Sequence, residues 1–217
     1  MFQAAFPLFL SVVYNCGGAH CDTVLAGRFL EKVNVSNSII YRRATDADYA
    51  GVLQLQEENL RVNLSDPQTA DGFLMRRYTE EMFRRVNNEL AIVAAVAEGR
   101  VVGYLCAKCF PYAVEFPVLK ALISHTSGMK IGGVTVDAET AFIYGPVCVS
   151  RSVRGTGVLA GMWTALREIA APYRKVAVLF IADANRRSLR AHEKLGMTHC
   201  GMFVQDGNHF HALAALV

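Results

Sequence analysis

The sequence is poor in charged residues and has no large excess of either sign. Only 19% of the 217 residues are charged, and 22 Lys and Arg are nearly balanced by 19 Asp and Glu, for a net charge of +3. This balance gives no whole-chain argument for a nucleic-acid partner, and we expect none. A disordered chain is also excluded, because such chains are poor in apolar side chains and this one is 53% hydrophobic.

Long apolar runs are missing as well. The longest one extends from Met1 towards Asn15, which is shorter than the roughly 20 residues that span a bilayer. No positive residue precedes it, as a secretory signal would require, although a signal or anchor remains the less favoured alternative. We expect no membrane contact, a cytoplasmic protein, and an apolar extension over residues 1–37 that packs on its own domain or on the second subunit of a homodimer.

The cysteines do not form a recognisable disulfide or metal pattern. Cys148 lies inside an apolar run, and Cys106 and Cys109 follow another. Buried free thiols in a reducing compartment explain these positions better than disulfides do. The single CxxC pair has no second pair and no suitably spaced histidines, so we expect no metal.

Regular patterns begin at residue 39 and continue to the end of the chain. They predict a single α/β domain over residues 38–217 with a mixed sheet. Pro146 indicates a bulge or a splayed edge in its strand, because proline cannot donate to a ladder. The predicted strands are 39–42, 90–97, 100–107, 141–150, 176–182, 198–204 and 210–217, and the predicted helices are 45–61, 80–88, 114–124, 158–170 and 186–195.

A glycine turn between a strand and a helix is the clearest candidate binding feature. The turn contains Gly155 and Gly157 and leads directly into the helix predicted from residue 158. Helix N-termini bind anions through free N–H groups and the positive end of the helix dipole. Five arginines near this turn and the next helix start strengthen the prediction of a phosphate site; they are Arg151, Arg154, Arg186, Arg187 and Arg190.

Two familiar phosphate motifs fit this turn poorly. A P-loop needs Lys followed by Ser or Thr after its last glycine, whereas Val158 and Leu159 stand there. The run from Gly155 to Ala160 reads as GxGxxA, and Asp183 could bind a ribose, so an NAD(P)-dependent oxidoreductase remains an alternative. Against it, four residues separate the strand from the first glycine, and too little chain follows for a six-stranded doubly wound sheet.

The order and spacing of four segments resemble the acyl-CoA site of the GNAT superfamily of N-acetyltransferases. The segments read V147-C-V149, R154-G-T-G157-V-L159, N185-R-R-S188 and A191-H-E-K-L-G-M197. The resemblance covers about residues 39–217. It implies a mixed, mostly antiparallel sheet with a splayed central strand and flanking helices. It also implies transfer of an acyl group, expected to be acetyl, from acyl-CoA to an amine by direct attack in a ternary complex.

The resemblance also implies a role for each residue of the donor site. The backbone of the splayed strand would pair with the pantetheine arm, and the N–H groups of the glycine turn would hold the pyrophosphate. Asn185 would hydrogen-bond the pantetheine, with Ser188 close to it. The strand residues are Val147, Cys148 and Val149, and the turn residues are Arg154, Gly155, Thr156, Gly157, Val158, Leu159 and Ala160.

The catalytic residues are less well defined by the sequence. His192 replaces the tyrosine that often acts as general acid in the family, and Leu159 replaces a glycine or alanine. These departures leave open a domain that binds acyl-CoA without transferring it. The candidates for the general base are Glu57, Glu58, Glu139 and Tyr144, and those for the acceptor pocket are Tyr104, Tyr112, Phe116 and the loops at 57–80 and 110–135. His199, His209 and His211 are expected to be exposed or packed.

Overall fold

The structure is a computed structural model that describes residues 39–69, 72–113 and 115–217. The apolar extension expected over residues 1–37 lies outside the described residues. None of the described helices is long and apolar enough to cross a membrane.

Seven strands form the main sheet, in the order β1-β2-β3-β6-β7-β9-β8. A separate two-stranded hairpin, β4 and β5, lies in the segment before β6, where the sequence predicted no strand. The strands are β1 (Ile40–Arg43), β2 (Ala91–Ala97), β3 (Arg100–Lys108), β4 (Lys130–Ile131), β5 (Val134–Thr135), β6 (Ala141–Val149), β7 (Val176–Ala182), β8 (Thr198–Gln205) and β9 (Asn208–Leu216).

The helices begin at the local signals that favour helix starts. The Thr79 hydroxyl accepts a hydrogen bond from the backbone N–H of Met82 and caps α3, and Pro117 is the first residue of α5. The first predicted helix ends early, at Glu57, and α5 begins three residues later than expected. The helices are α1 (Tyr49–Glu57), α2 (Asp66–Thr69), α3 (Glu80–Glu89), α4 (Phe110–Ala113), α5 (Pro117–Thr126), α6 (Val158–Ala170) and α7 (Arg186–Lys194).

Strand direction rules out the dinucleotide-binding alternative. In the seven-stranded sheet of the described residues, β6 and β7 form the one parallel pair, and the other neighbours are antiparallel. A doubly wound dinucleotide fold requires a mostly parallel sheet. The expectation of a mixed, mostly antiparallel sheet with flanking helices is therefore confirmed.

The central strands separate as the sequence predicted. β6 pairs with β7 only at Ala141, Phe142 and Ile143, and the rest of β6 diverges. A register shift between β3 and β6 falls opposite Gly145 and Pro146, where β6 carries an extra residue. The divergence leaves the backbone of β6 beyond Ile143 without a β7 partner and opens a cleft through the middle of the sheet.

Each face of the sheet carries its own apolar core. Helices α1, α3 and α5 cover one face, and α6 and α7 cover the other. Strand β2 is buried along its whole length between them. Helix α6 lies so close to β1 that a Cβ on Gly161 would sit 2.2 Å from the ring of Tyr41. The start of α6 is therefore fixed relative to the diverging strands.

Candidate active site

A groove of about 480 Å³ lies beside the diverging end of β6. Its walls are the end of β6, the glycine turn that starts α6, and one side of α7. Val147, Cys148 and Val149 line it with the backbone that has no β7 partner. We call this the donor groove.

The glycine turn takes a conformation that favours glycine. Gly155 and Gly157 have φ values of +83° and +90°, and Gly157 is the N-cap of α6. Because Gly157 has no side chain, it offers no acceptor to the first-turn N–H groups of α6. Val158, Leu159 and Ala160 carry those N–H groups and line the groove. This helix start has the features of an anion site.

Basic side chains surround the groove, though not the full set that the sequence suggested. Arg154, Arg187 and Arg190 line it, together with Lys194, which the sequence reasoning missed. Arg151 and Arg186 do not line it, and Arg186 forms an ion pair with Asp183 at 3.0 Å. The Arg154 side chain is anchored, since Nε donates to the Val149 carbonyl at 3.0 Å and Nη2 donates to Asn59 Oδ1 at 2.6 Å.

Asn185 connects two parts of the site. Its Oδ1 accepts from the backbone N–H of Ser188 at 3.3 Å and caps α7, and its Nδ2 donates to the Phe73 carbonyl at 3.3 Å. The loop that leads to α3 is thereby tied to the start of α7. Asn185 and Ser188 both line the donor groove, where they were expected.

A second cleft, of about 290 Å³, opens on the other side of the same strand. The loop before α3 supplies Arg76 and Tyr78, α5 and the residue before it supply Phe116 and Leu119, and Lys108 ends β3. The remaining wall comes from β7 and from the turn between β8 and β9. We call this the acceptor cleft.

The donor groove and the acceptor cleft meet. Six residues line both of them: Phe73, Leu74, Val147, Asn185, Ser188 and His192. A ligand in one cleft can therefore contact a ligand in the other at this junction, which is the geometry that direct transfer between two bound molecules requires.

His192 lies at the junction and is 2% exposed. Nδ1 is 2.7 Å from the Ser188 carbonyl, which can only accept, so Nδ1 carries the hydrogen. Nε2 is 3.1 Å from the Tyr144 hydroxyl and accepts its hydrogen in the neutral ring. Burial lowers the pKa of His192, and the Ser188 carbonyl opposes this only in part. The lowered pKa favours the neutral imidazole.

A family model and several solved structures match this chain. The model described as the acetyltransferase (GNAT) family matches residues 54–197. The chain belongs to the GNAT acetyltransferase family. No curated protein matches the sequence.

Solved structures with the same fold include GNAT enzymes of several organisms. An Arabidopsis thaliana NAA60 structure with acetyl-CoA has a TM-score of 0.56 and 14% identity, covering 83% of this chain and 100% of that one. A Sinorhizobium meliloti phosphinothricin acetyltransferase with acetyl-CoA has a TM-score of 0.56 and 17% identity, and the match covers 82% of this chain and 88% of that one. A Brucella melitensis ribosomal-protein-alanine N-acetyltransferase has a TM-score of 0.54 and 18% identity, and the match covers 82% of this chain and 99% of that one.

The carboxylates that the sequence offered as general bases lie outside the lining of this GNAT site, although the charge of Glu58 acts on Cys148 of the donor groove. Glu139 is exposed in the loop before β6, at the end of the strand remote from the divergence. Glu57 forms an ion pair with Arg77 at 2.7 Å, and Glu58 is exposed. Neither cleft is lined by any of the three, whereas Tyr144 lines the acceptor cleft beside His192.

Aromatic residues expected in the acceptor pocket divide between the cleft and the core. Phe116 lines the cleft. Tyr104 is fully buried against Phe83, and Tyr112 packs on Phe116 from behind with 2% exposed. The loops at 57–80 and 110–135 do supply part of the wall, as expected.

Lys108 is the main residue of the GNAT site that the sequence reasoning missed. It is 1% exposed and lines the acceptor cleft. Its one signal in the sequence is a lysine that ends an apolar strand, which is also the usual position of a solvated strand end. Burial lowers its pKa to about 8.

The remaining histidines and cysteines that the structure describes lie in pairs or singly. Within the described ranges, no group of three or more His, Cys, Asp or Glu residues could hold an ion. His199 Nε2 lies 2.8 Å from His211 Nδ1, and His211 Nε2 lies 2.7 Å from Asp183 Oδ1, so two histidines stabilise the β8–β9 edge. Cys106, Cys109, Cys148 and Cys200 are free thiols, and the first three are buried.

Proposed function

We propose that this GNAT protein transfers an acetyl group from acetyl-CoA to an amine by direct attack within a ternary complex. The observation that carries the proposal is the junction of the donor groove and the acceptor cleft at Val147, Asn185, Ser188 and His192. Two substrates bound at once could react there without a covalent enzyme intermediate.

The donor groove fits acetyl-CoA in each of its parts. The unpaired backbone of Val147, Cys148 and Val149 can hydrogen-bond an amide-rich arm, and one N–H can polarise a carbonyl oxygen. The start of α6 and the basic side chains suit a pyrophosphate. When bound, acetyl-CoA would supply an acetyl group activated as a thioester.

Leu159 is compatible with this fit. Its side chain is partly buried and packs on the apolar core that α6 covers. Only its backbone is needed in the anion site, because the backbone N–H is the donor. The departure from glycine or alanine is therefore no obstacle to binding, which weakens the alternative of a domain that lacks activity.

Tyr144 and His192 can move the proton that the amine must lose. Tyr144 Oη would take this proton while giving its own hydrogen to His192 Nε2, so the phenol stays neutral throughout. This suits a buried tyrosine, since burial raises the pKa of Tyr144. The Ser188 carbonyl would hold the protonated ring at Nδ1. The reverse transfer would then deliver the proton to the departing sulfur, so that one proton passes from nitrogen to sulfur.

Binding and turnover test the proposal separately. Thermal shift with CoA, acetyl-CoA and NADP⁺ should show stabilisation by the first two alone. Release of free CoA thiol from acetyl-CoA with a panel of primary amines should then be faster than without amine. Stabilisation by CoA with no amine-dependent release would support a binding module, and no stabilisation by either CoA species would remove the donor assignment.

A further inference from the structure

The acceptor cleft has two cationic side chains close together. Arg76 and Lys108 both line it. Burial is the main cause that lowers the pKa of Lys108, and the charge of Arg76 acts in the same direction. Asp206, in the turn between β8 and β9, is the carboxylate among the described residues that line the cleft. The lining therefore has an excess of positive charge, which is unfavourable for a polycationic acceptor.

The Arg76 guanidinium is held in place but keeps its hydrogen-bond donors available. It stacks over the Phe116 ring, with Cζ 4.3 Å from the ring centroid. Among the described residues it makes no hydrogen bond and no ion pair. Stacking covers the flat face of a guanidinium and leaves the N–H groups at its edge free, and these match a carboxylate in bidentate geometry.

Lys108 is a buried cation that forms no ion pair in the part of the chain that the structure describes, although the charge of Glu89 acts on it and raises its pKa in part. Its Nζ donates to the Tyr78 hydroxyl at 3.3 Å and to the Gly145 carbonyl. Both are neutral acceptors, and a buried charge without a counter-ion is costly. An anion in the cleft would offset that cost.

Much of the remaining lining of the cleft is apolar, and part of it is aromatic. Phe73, Phe116, Phe180 and Phe210 line it, together with Leu119. Such walls favour a hydrocarbon or aromatic body over a strongly hydrated one.

We propose that the acceptor is a primary amine with a carboxylate and an apolar body, such as an amino acid with a large apolar side chain, and that Arg76, aided by Lys108, binds the carboxylate. That the acceptor is an amine rests on the proposed function. That it carries a carboxylate rests on the positive charges of the acceptor cleft. Arg76 determines specificity in this scheme and takes no part in bond making.

Matched acceptors that differ only in charge test the proposal. We expect kcat/KM for L-phenylalanine and L-leucine to exceed that for the corresponding amides by about tenfold or more, as a charge-assisted bidentate contact would give, and spermidine to be a poor acceptor. Arg76→Gln should reduce this preference to within about threefold, through KM. Arg77→Gln is the control, since Arg77 pairs with Glu57 outside the cleft and should leave the preference unchanged.

A binding measurement keeps the test independent of turnover. In the presence of CoA, N-acetyl-L-phenylalanine should stabilise the wild type in thermal shift, its amide should not, and Arg76→Gln should abolish the difference. If these thermal shifts are observed but no CoA thiol is released from acetyl-CoA with any amine, the carboxylate site is supported and the transfer function is overturned. The carboxylate site would be overturned if the amides react and bind as well as the acids. It would also be overturned if Arg76→Gln lowers kcat/KM for the acids and for their amides by the same factor.

Discussion

At the scale of single residues, the proposed proton path depends on the hydrogen positions around His192. The Ser188 carbonyl fixes the hydrogen on Nδ1, and Nε2 is left to accept from Tyr144. The sequence placed His192 where the family often has a tyrosine that acts as general acid. Burial lowers the pKa of His192 and favours the neutral ring, whose Nε2 lone pair suits a proton acceptor.

Removal of either member of this pair should slow turnover. We expect Tyr144→Phe and His192→Phe each to lower kcat at least about tenfold, because each breaks the proton path, while acetyl-CoA affinity changes little. The double variant should lose little more than the worse single variant, since the two residues act as a unit. Tyr173→Phe, at a residue 66% exposed, is the matched control. Unchanged turnover in His192→Phe would remove this residue from the mechanism.

At the scale of elements, the donor groove depends on how β6 diverges and how α6 begins. The extra residue of β6 opposite β3 accompanies its divergence from β7, and the glycine turn then carries the chain into α6. Gly157 has to adopt a left-handed conformation to direct the first N–H groups of α6 at the groove. The helix start therefore links the local backbone conformation to anion binding.

Gly157→Ala should weaken both the fold and the donor site. A Cβ there would have open space but an unfavourable φ of +90°, so we expect a stability loss of about 1 kcal/mol. Acetyl-CoA should also bind several-fold more weakly, because the strain is relieved by moving the first turn of α6. Gly128→Ala is the control: it has a φ of +80°, open space and a position outside both clefts. Gly128→Ala should lose a similar free energy of unfolding in urea and retain its acetyl-CoA affinity in calorimetry. Equal losses of acetyl-CoA affinity in the two variants would contradict the role of Gly157 in the donor groove.

At the scale of the whole domain, stability should depend on acidity through one ion pair whose carboxylate is buried. Arg42 on β1 contacts Asp48 at 2.6 Å just before α1, and the Asp48 side chain is 7% exposed. The hydrogen bond from Arg42 is the main cause that lowers the pKa of Asp48 to about 2, with help from Thr45. A carboxyl whose pKa is lower in the folded state stabilises the fold above its unfolded pKa, near 4, and loses this contribution as the pH falls towards 2.

Urea unfolding at several pH values measures this contribution. Wild type should lose roughly 2 kcal/mol of unfolding free energy from this group between pH 4 and pH 2, and Asp48→Asn should be less stable at pH 7 and show a smaller loss in that range. Asp46→Asn is the control, because Asp46 is 82% exposed in its pair with Arg84 and should have little effect. Equal pH dependence in wild type and Asp48→Asn would exclude the pair as the cause.

The sequence by itself determined the order and type of most elements and most of the donor site. These features are local patterns, each of which spans only a few neighbouring residues and can therefore be read from the sequence. They include the helix and strand periods, the glycines before α6 and the Asn185 cap. For the acceptor cleft, the sequence indicated Phe116 and two loops, and only the tertiary structure decided how they and Lys108 come together. Arg76, Lys108 and Phe116 come from separate segments, and their positions follow from how those segments pack around the diverging strands. The hydrogen on Nδ1 of His192 follows from Ser188, four residues earlier in α7. The packing, however, brought Tyr144 to Nε2 of His192 and left Glu57, Glu58 and Glu139 outside the lining of both clefts. Burial and partners across the sheet are long-range properties that no local pattern records.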